Sequence, residues 1–77
     1  MNEESEILDV RGLLCPLPVL KARKRLSTMK SGEVLRIEAT DPAATIDIPH
    51  FCNESGHLLL SQSTIDSLYI FTIQKSA

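Results

Sequence analysis

The chain has 77 residues, enough for one domain, and carries a net charge of -2. A domain of this size buries only about 60% of its unfolded surface, so a deep cofactor pocket would remove much of its core. Net negative charge argues against general nucleic-acid binding, which depends on neutralising phosphates. These properties exclude many enzyme classes and favour chemistry at a surface element, with no cofactor.

The N-terminal residues 1–6 are acidic and contain no apolar segment, unlike a signal peptide. No apolar run reaches the length that spans a membrane. We therefore expect a cytoplasmic protein in which residues 1–77 form one domain and residues 1–5 are disordered. In a reducing compartment its two cysteines, Cys15 and Cys52, should be free thiols.

Apolar spacing predicts a strand followed by a helix in the first part of the chain. Residues 7–10 alternate, with Leu8 and Val10 facing one way, as in a short strand. From Pro16 the apolar residues recur every three or four positions, which predicts an amphipathic helix that ends at Gly32. The predicted buried stripe of this helix consists of Val19, Ala22, Leu26 and Met29.

A second strand and a second helix follow. Residues 33–39 alternate as a strand, with the apolar side chains inward. Residues 43–55 are predicted to form a helix that ends at Gly56. Pro49 lies either in the first turn of a shorter helix or at a kink in a longer one, and both readings stay open. The apolar face of this helix consists of Ala44, Ile48, Phe51 and Cys52.

The last part of the chain predicts a hairpin, with strands over residues 57–63 and 68–74 joined by residues 64–67. The element order is then β-α-β-α-β-β, which indicates an α+β two-layer sandwich. Because a strand–helix–strand crossover is right-handed, the first two strands should be parallel. We expect a four-stranded mixed sheet with both helices on one face.

The segment around Cys15 carries the most specific chemical signal. Pro16 and Pro18 suit the first turn of a helix, whose free N–H groups a proline does not need, and Gly12 breaks the preceding strand. Cys15 is then expected at the N-cap, with the Leu17 N–H beside its sulfur. A cysteine at a helix N-terminus has a lowered pKa, which predicts an exposed, reactive thiolate. The alternative is a small buried hydrophobe.

The other chemistry-bearing residues give weaker signals. Cys52 falls on an apolar helix face, so we expect a packed thiol; the alternative is a resolving partner for Cys15 in a redox cycle. No base lies near Cys15 in sequence, and the only histidines are His50 and His57. These cysteines and histidines match no zinc-binding spacing, so we expect no metal. Lys21, Lys24 and Arg25 share an exposed helix face, which either docks an acidic partner or is simply solvated.

Taken together, these residues resemble the TusA/SirA/YedF family of small sulfur-transfer proteins, over nearly the whole chain. The anchors are Leu8-Asp9, Gly12-Leu13, Cys15-Pro16-Leu17-Pro18, Gly32-Glu33, Asp41-Pro42, residues 47–52 and Gly56-His57. Residues 47–52 favour the TusA branch. In this chain Leu14 and Leu17 replace the Arg and Glu that are frequent in close TusA relatives, which makes the surroundings of the sulfur less polar.

The resemblance implies that Cys15 accepts a persulfide sulfur from a cysteine desulfurase and passes it to a relay protein or the transfer-RNA thiolation machinery. The product implied for the TusA branch is wobble uridine thiolated at position 2. We expect a monomeric carrier rather than a stand-alone enzyme, without membrane contact or stable nucleic-acid binding. The alternatives are a thiol redox protein and a regulatory or RNA-binding module of the same fold.

Overall fold

The computed structural model describes residues 6–76, which form four strands and two helices in the expected order. The predicted disorder of residues 1–5 lies outside the described residues. Within 6–76, neither helix is long and apolar enough to cross a membrane. The elements are β1 Glu6–Val10, α1 Leu17–Ser27, β2 Val34–Ala39, α2 Ala44–Ser55, β3 Leu58–Ile65 and β4 Leu68–Gln74.

The sheet has the order β1-β2-β4-β3, with β1 parallel to β2 and the remaining pairs antiparallel. Alternate residues of the central strand β2 are fully buried, as expected for a sheet covered on one face. The buried residues of both helices join this face in a single core, so both helices pack on the same side. The predicted two-layer α+β sandwich is confirmed.

The core consists of the side chains that the apolar spacing selected. Ala22 and Leu26 of α1 and Ile48 of α2 are almost fully buried, and they pack on Ile37 and Phe71 of the central strands. Burial of such side chains contributes about 1.5–3 kcal/mol each relative to exposure. The apolar face of each helix therefore fixes how the helix docks on the sheet.

Pro49 is the sixth residue of α2 and lies inside it, so the longer helix is the correct alternative. A proline there cannot donate the backbone hydrogen bond that would reach the carbonyl of Thr45. The packing of Ile48 and Phe51 on the sheet holds the helix continuous across this position. Gly56 ends α2 in the left-handed conformation, as predicted, and its N–H donates to the carbonyl of Cys52 at 2.9 Å.

Two predicted boundaries are wrong. α1 ends at Ser27 instead of Gly32, which lies instead in the turn before β2 with a φ of +93°. β3 extends to Ile65, so the hairpin turn is Asp66-Ser67 and not residues 64–67. Asp66 has a φ of +55°, which a short polar side chain tolerates, so two residues suffice for the reversal.

A matched pair of substitutions tests this assignment of the core. Ile37→Val removes one buried methyl(ene) group and should lower the free energy of unfolding by about 1 kcal/mol. Ile65→Val removes the same group from a side chain that is 59% exposed. This substitution should change the free energy of unfolding by less than about 0.5 kcal/mol. Urea unfolding of both variants measures the difference. Equal losses would contradict the burial pattern.

Candidate functional site

Cys15 lies where the carboxyl ends of the two parallel strands meet. The last residues of these strands, Val10 and Ala39, are paired in register, so the loops that follow them leave the same edge of the sheet. Gly12 turns the first loop with a φ of +81°, a conformation that favours glycine. Its N–H donates to Thr40 Oγ1 in the second loop at 2.8 Å. The two loops are thus joined directly beside Cys15.

Asp41 makes the second link between the loops. Its Oδ2 accepts the backbone N–H of Cys15 at 2.7 Å, and its Oδ1 accepts that of Ala43 at 3.1 Å. One carboxylate therefore positions both the cysteine and the start of α2. Hydrogen bonds to an ionised acceptor are stronger than neutral ones, so this contact holds the Cys15 backbone in place.

The local geometry differs from the predicted N-cap. Pro16, not Cys15, occupies the N-cap, and the Cys15–Pro16 peptide bond is cis. The Leu17 N–H donates to the Leu14 carbonyl at 2.8 Å, so it is not directed at the sulfur as predicted. Pro18 is buried in the first turn of α1, where its missing N–H leaves no hydrogen bond unmade. Cys15 is exposed, which confirms the prediction of an accessible thiol.

The pKa of the Cys15 thiol is raised, so the predicted lowering is wrong. The largest cause is the hydrogen bond of the thiol to the Asp47 carboxylate. Partial desolvation comes next, followed by the charges of Asp47 and Asp41. Each of these favours the neutral thiol over the thiolate. The prediction failed because it considered only α1, whereas the two carboxylates come from the other parallel strand's loop and from α2.

A cavity of about 190 Å³ opens beside the sulfur. Cys15, Pro16 and Val19 line it on one side, and Asp47 and His50 of α2 line it on the other. Asp47 and His50 are three residues apart and therefore neighbours on one helix face. A carboxylate and an imidazole thus share a cavity with a thiol.

Sequence reasoning did not place Asp41, Asp47 or His50 beside Cys15, because all three are distant from it along the chain. A signal was nevertheless present. The first two strands were expected to be parallel, and the carboxyl ends of adjacent parallel strands lie at the same edge of a sheet. Polar residues just after β2 are therefore candidates to lie near Cys15.

Cys52 is a buried thiol on the inner face of α2, 3% exposed and part of the core, as predicted. Burial raises its pKa to about 11, which keeps it protonated and unreactive at neutral pH. Cys15 and Cys52 are both free thiols. The redox alternative required Cys52 to face Cys15 as a resolving partner, and its position in the core argues against that role.

The predicted basic docking face is only partly free. Lys21 and Lys24 are exposed on α1. Arg25 is half-buried and donates to Glu6 of β1 at 3.2 Å, so part of its charge is neutralised within the protein. The three cations border a shallow cavity of about 300 Å³ against β1.

Exposed apolar side chains lie on both sides of Cys15 in the sequence. Leu14 is 68% exposed, Leu17 43% and Leu20 51%. The residues of α1 that face solvent at three- and four-residue spacing are Leu17, Leu20, Lys21 and Lys24, here called the α1 ridge. The ridge is apolar next to the cysteine and basic further along the helix. Neighbouring exposed apolar side chains are typical of protein interaction sites.

No group of three or more histidine, cysteine or acidic residues between 6 and 76 has a geometry that could hold a metal ion. The site therefore consists of one exposed thiol, a bordering cavity and a helix ridge. The fold is thus a small α+β sandwich with one exposed cysteine among its described residues. Residues 6–75 match the family described as "Sulfurtransferase TusA". The chain belongs to that family.

Relatives with similar sequences carry related names. A protein of Neisseria meningitidis serogroup A named "Putative sulfur carrier protein" is 47% identical over 70 residues, covering 91% of this chain and 95% of its own. "Sulfur carrier protein TusA" of Buchnera aphidicola is 38% identical over 76 residues, covering 99% of this chain and 96% of its own. These similarities agree with membership of the TusA family.

The fold has a counterpart among solved structures. The crystal structure of the SirA-like protein from Desulfitobacterium hafniense superposes with a TM-score of 0.79. The match covers 92% of this chain and 97% of that protein, with 19% sequence identity. At that identity the likeness concerns the fold, and it agrees with the four-stranded sheet and two helices described above.

Replacing the carboxylate beside the thiol tests the electrostatic assignment. Asp47→Asn removes a negative charge facing Cys15, so the pKa of the thiol should fall and its alkylation by iodoacetamide at pH 7 should become several-fold faster. The matched control is Glu54→Gln on the same helix. The measurement is the alkylation rate of Cys15 as a function of pH. An unchanged or slower rate in Asp47→Asn would contradict the assignment.

Proposed function

We propose that this protein accepts a sulfur atom on Cys15, as a persulfide, from a cysteine desulfurase and passes it to a second protein. The observation that carries the proposal is an exposed, well-positioned thiol in a chain of the TusA family. Cys15 is the exposed one of the two cysteines, and Cys52 is buried in the core. The names of its relatives support a carrier role.

The proposed loading step is an exchange between the Cys15 thiol and the donor's persulfide, and it needs no external oxidant because the donor already contains the sulfur–sulfur bond. The Cys15 thiol loses its proton, and its sulfur attacks the outer sulfur of the donor persulfide. A new sulfur–sulfur bond forms at Cys15 while the donor's bond breaks, and the donor cysteine leaves as a thiolate that regains a proton. The donor thus returns to a thiol and Cys15 becomes a persulfide. Delivery repeats the exchange with the acceptor's cysteine.

The surface around Cys15 supports transfer between proteins rather than to a small molecule. The apolar end of the α1 ridge and Leu14 form an exposed apolar area near Cys15. The basic end of the ridge, Lys21 and Lys24, borders this area. Gly12, Pro16 and Pro18 set the loop and the helix start that present Cys15, and Leu17 contributes to the contact area. Transient partners use small interfaces, which suits a monomeric carrier of this size.

The proposed destination of the sulfur is position 2 of the wobble uridine in transfer RNA, reached in the cytoplasm through a relay protein. Membership of the TusA family and the similarity to a protein named TusA support this route. The test is mass spectrometry of transfer RNA from bacteria that lack their own carrier of this family. The wild-type chain should restore 2-thiouridine and Cys15→Ser should not. Failure of the wild-type chain, despite a loaded Cys15, would indicate another acceptor.

Intact mass spectrometry tests the carrier role itself. After incubation with a cysteine desulfurase and cysteine, the protein should gain one sulfur that a reductant removes. Cys15→Ser should lose this adduct completely, because the accepting sulfur is gone, and Cys52→Ser should keep it, because Cys52 is buried. An adduct that persists in Cys15→Ser, or that depends on Cys52, would reject the proposal.

The basic end of the α1 ridge should affect the rate of partner encounter. Lys21→Glu reverses an exposed charge and should slow loading from the desulfurase several-fold at low salt, with a smaller effect at high salt. The matched control is Lys30→Glu, an equal change at an exposed position beyond the helix. The measurement is the loading rate at two ionic strengths. If both substitutions have equal effects on the loading rate, the basic end of the α1 ridge is not a docking surface for the desulfurase.

A further inference from the structure

We propose that His50 is the proton-transfer residue for Cys15, taking the thiol proton as the sulfur attacks and returning it to the departing thiolate. The proposal rests on the proposed function for the identity of the sulfur donor. It starts from one observation: His50 and Cys15 line the same cavity, although 35 residues separate them in the sequence. The rest of the wall is two uncharged residues, Pro16 and Val19, and Asp47.

The site needs a proton acceptor because its resting state is a protonated thiol. The hydrogen bond to Asp47 and the charge of Asp41 both stabilise that form. The thiolate is the nucleophile in exchange at sulfur. Some group must therefore remove the proton when the donor persulfide arrives.

Neither carboxylate is suited to that task. A carboxylate is a much weaker base than a thiolate, so it can hold the thiol's hydrogen without removing it. Both oxygens of Asp41 are already occupied by the N–H groups of Cys15 and Ala43. An imidazole can both accept and return a proton, and histidine is the side chain that most often acts as a general base.

The two histidines occupy different positions relative to Cys15. His50 is exposed and belongs to the middle of α2, on the side that borders Cys15. His57 follows the end of α2, where its Nδ1 accepts the N–H of Ser76 at 3.3 Å and its ring packs against Phe51. His57 borders a different cavity, lined in part by Arg23 and Lys75. It is therefore a matched control that lies outside the site.

The groups that face Cys15 come from two elements. The loop after β2 contributes Asp41, and α2 contributes Asp47 and His50, whereas the α1 side contributes no charge to the cavity. In this arrangement Asp47 orients the thiol hydrogen and His50 receives the proton. The proton then passes to the departing thiolate of the donor, which becomes a neutral thiol.

The test uses a small donor, glutathione persulfide, so that protein docking does not affect the result. Single-turnover transfer to Cys15 is followed by intact mass between pH 6 and pH 10 in wild type, His50→Gln and His57→Gln. At pH 7 His50→Gln should be slower by about 10²-fold, the lower end of the range for general-base catalysis, because His50 is exposed. At high pH it should approach the wild-type rate, since the thiolate then forms without an acceptor. His57→Gln should follow wild type throughout.

The outcomes separate this inference from the carrier role. If His50→Gln has the same pH profile as wild type, or if His57→Gln is equally slow, the inference is wrong and the carrier role stands. If wild type takes no sulfur from either the persulfide or a desulfurase, the carrier role is wrong. In that case the rate of alkylation by iodoacetamide, which also reacts with the thiolate, tests whether His50 takes the proton. A slower alkylation at pH 7 in His50→Gln alone supports the inference, and equal rates overturn it.

Discussion

The parallel pairing of β1 with β2 is the constraint on which the site depends. It brings the loops after both strands to one edge of the sheet, where hydrogen bonds from Gly12 to Thr40 and from Cys15 to Asp41 join them. Antiparallel pairing would place these loops at opposite ends. The crossover through α1 makes the parallel arrangement possible, since parallel strands require a long connection. The position of the reactive thiol therefore follows from the topology of the sheet.

The electrostatics of the site favour a protonated carrier at rest. A cysteine beside a helix start would ordinarily have a lowered pKa, but here the carboxylates of Asp47 and Asp41 outweigh that tendency. An exposed thiolate would react with any oxidant or electrophile it meets, whereas a thiol held by a carboxylate is less reactive. For the thiol to act as a nucleophile, a nearby group must take its proton.

The two faces of α1 differ in the side chains they present. The α1 ridge presents apolar residues beside Cys15 and lysines at a greater distance, while the inner face of α1 anchors it to the sheet through Ala22 and Leu26. Apolar contact next to the thiol can exclude water from the exchange, and the exposed lysines can steer an acidic partner. The exposed side chains of Leu14 and Leu17 make the surface near Cys15 apolar.

The sequence by itself determined the element order, the buried faces of both helices, the parallel first pair of strands and the exposed thiol. These follow from the spacing of apolar residues and from the local chemistry of Gly12, Pro16 and Pro18. Only the tertiary structure decided the N-cap, the direction of the Cys15 pKa shift and the presence of Asp47 and His50 beside the sulfur. The physical reason is that charges act through space, and the groups closest to Cys15 arrive from α2 and from the loop before it, about thirty residues away in the chain.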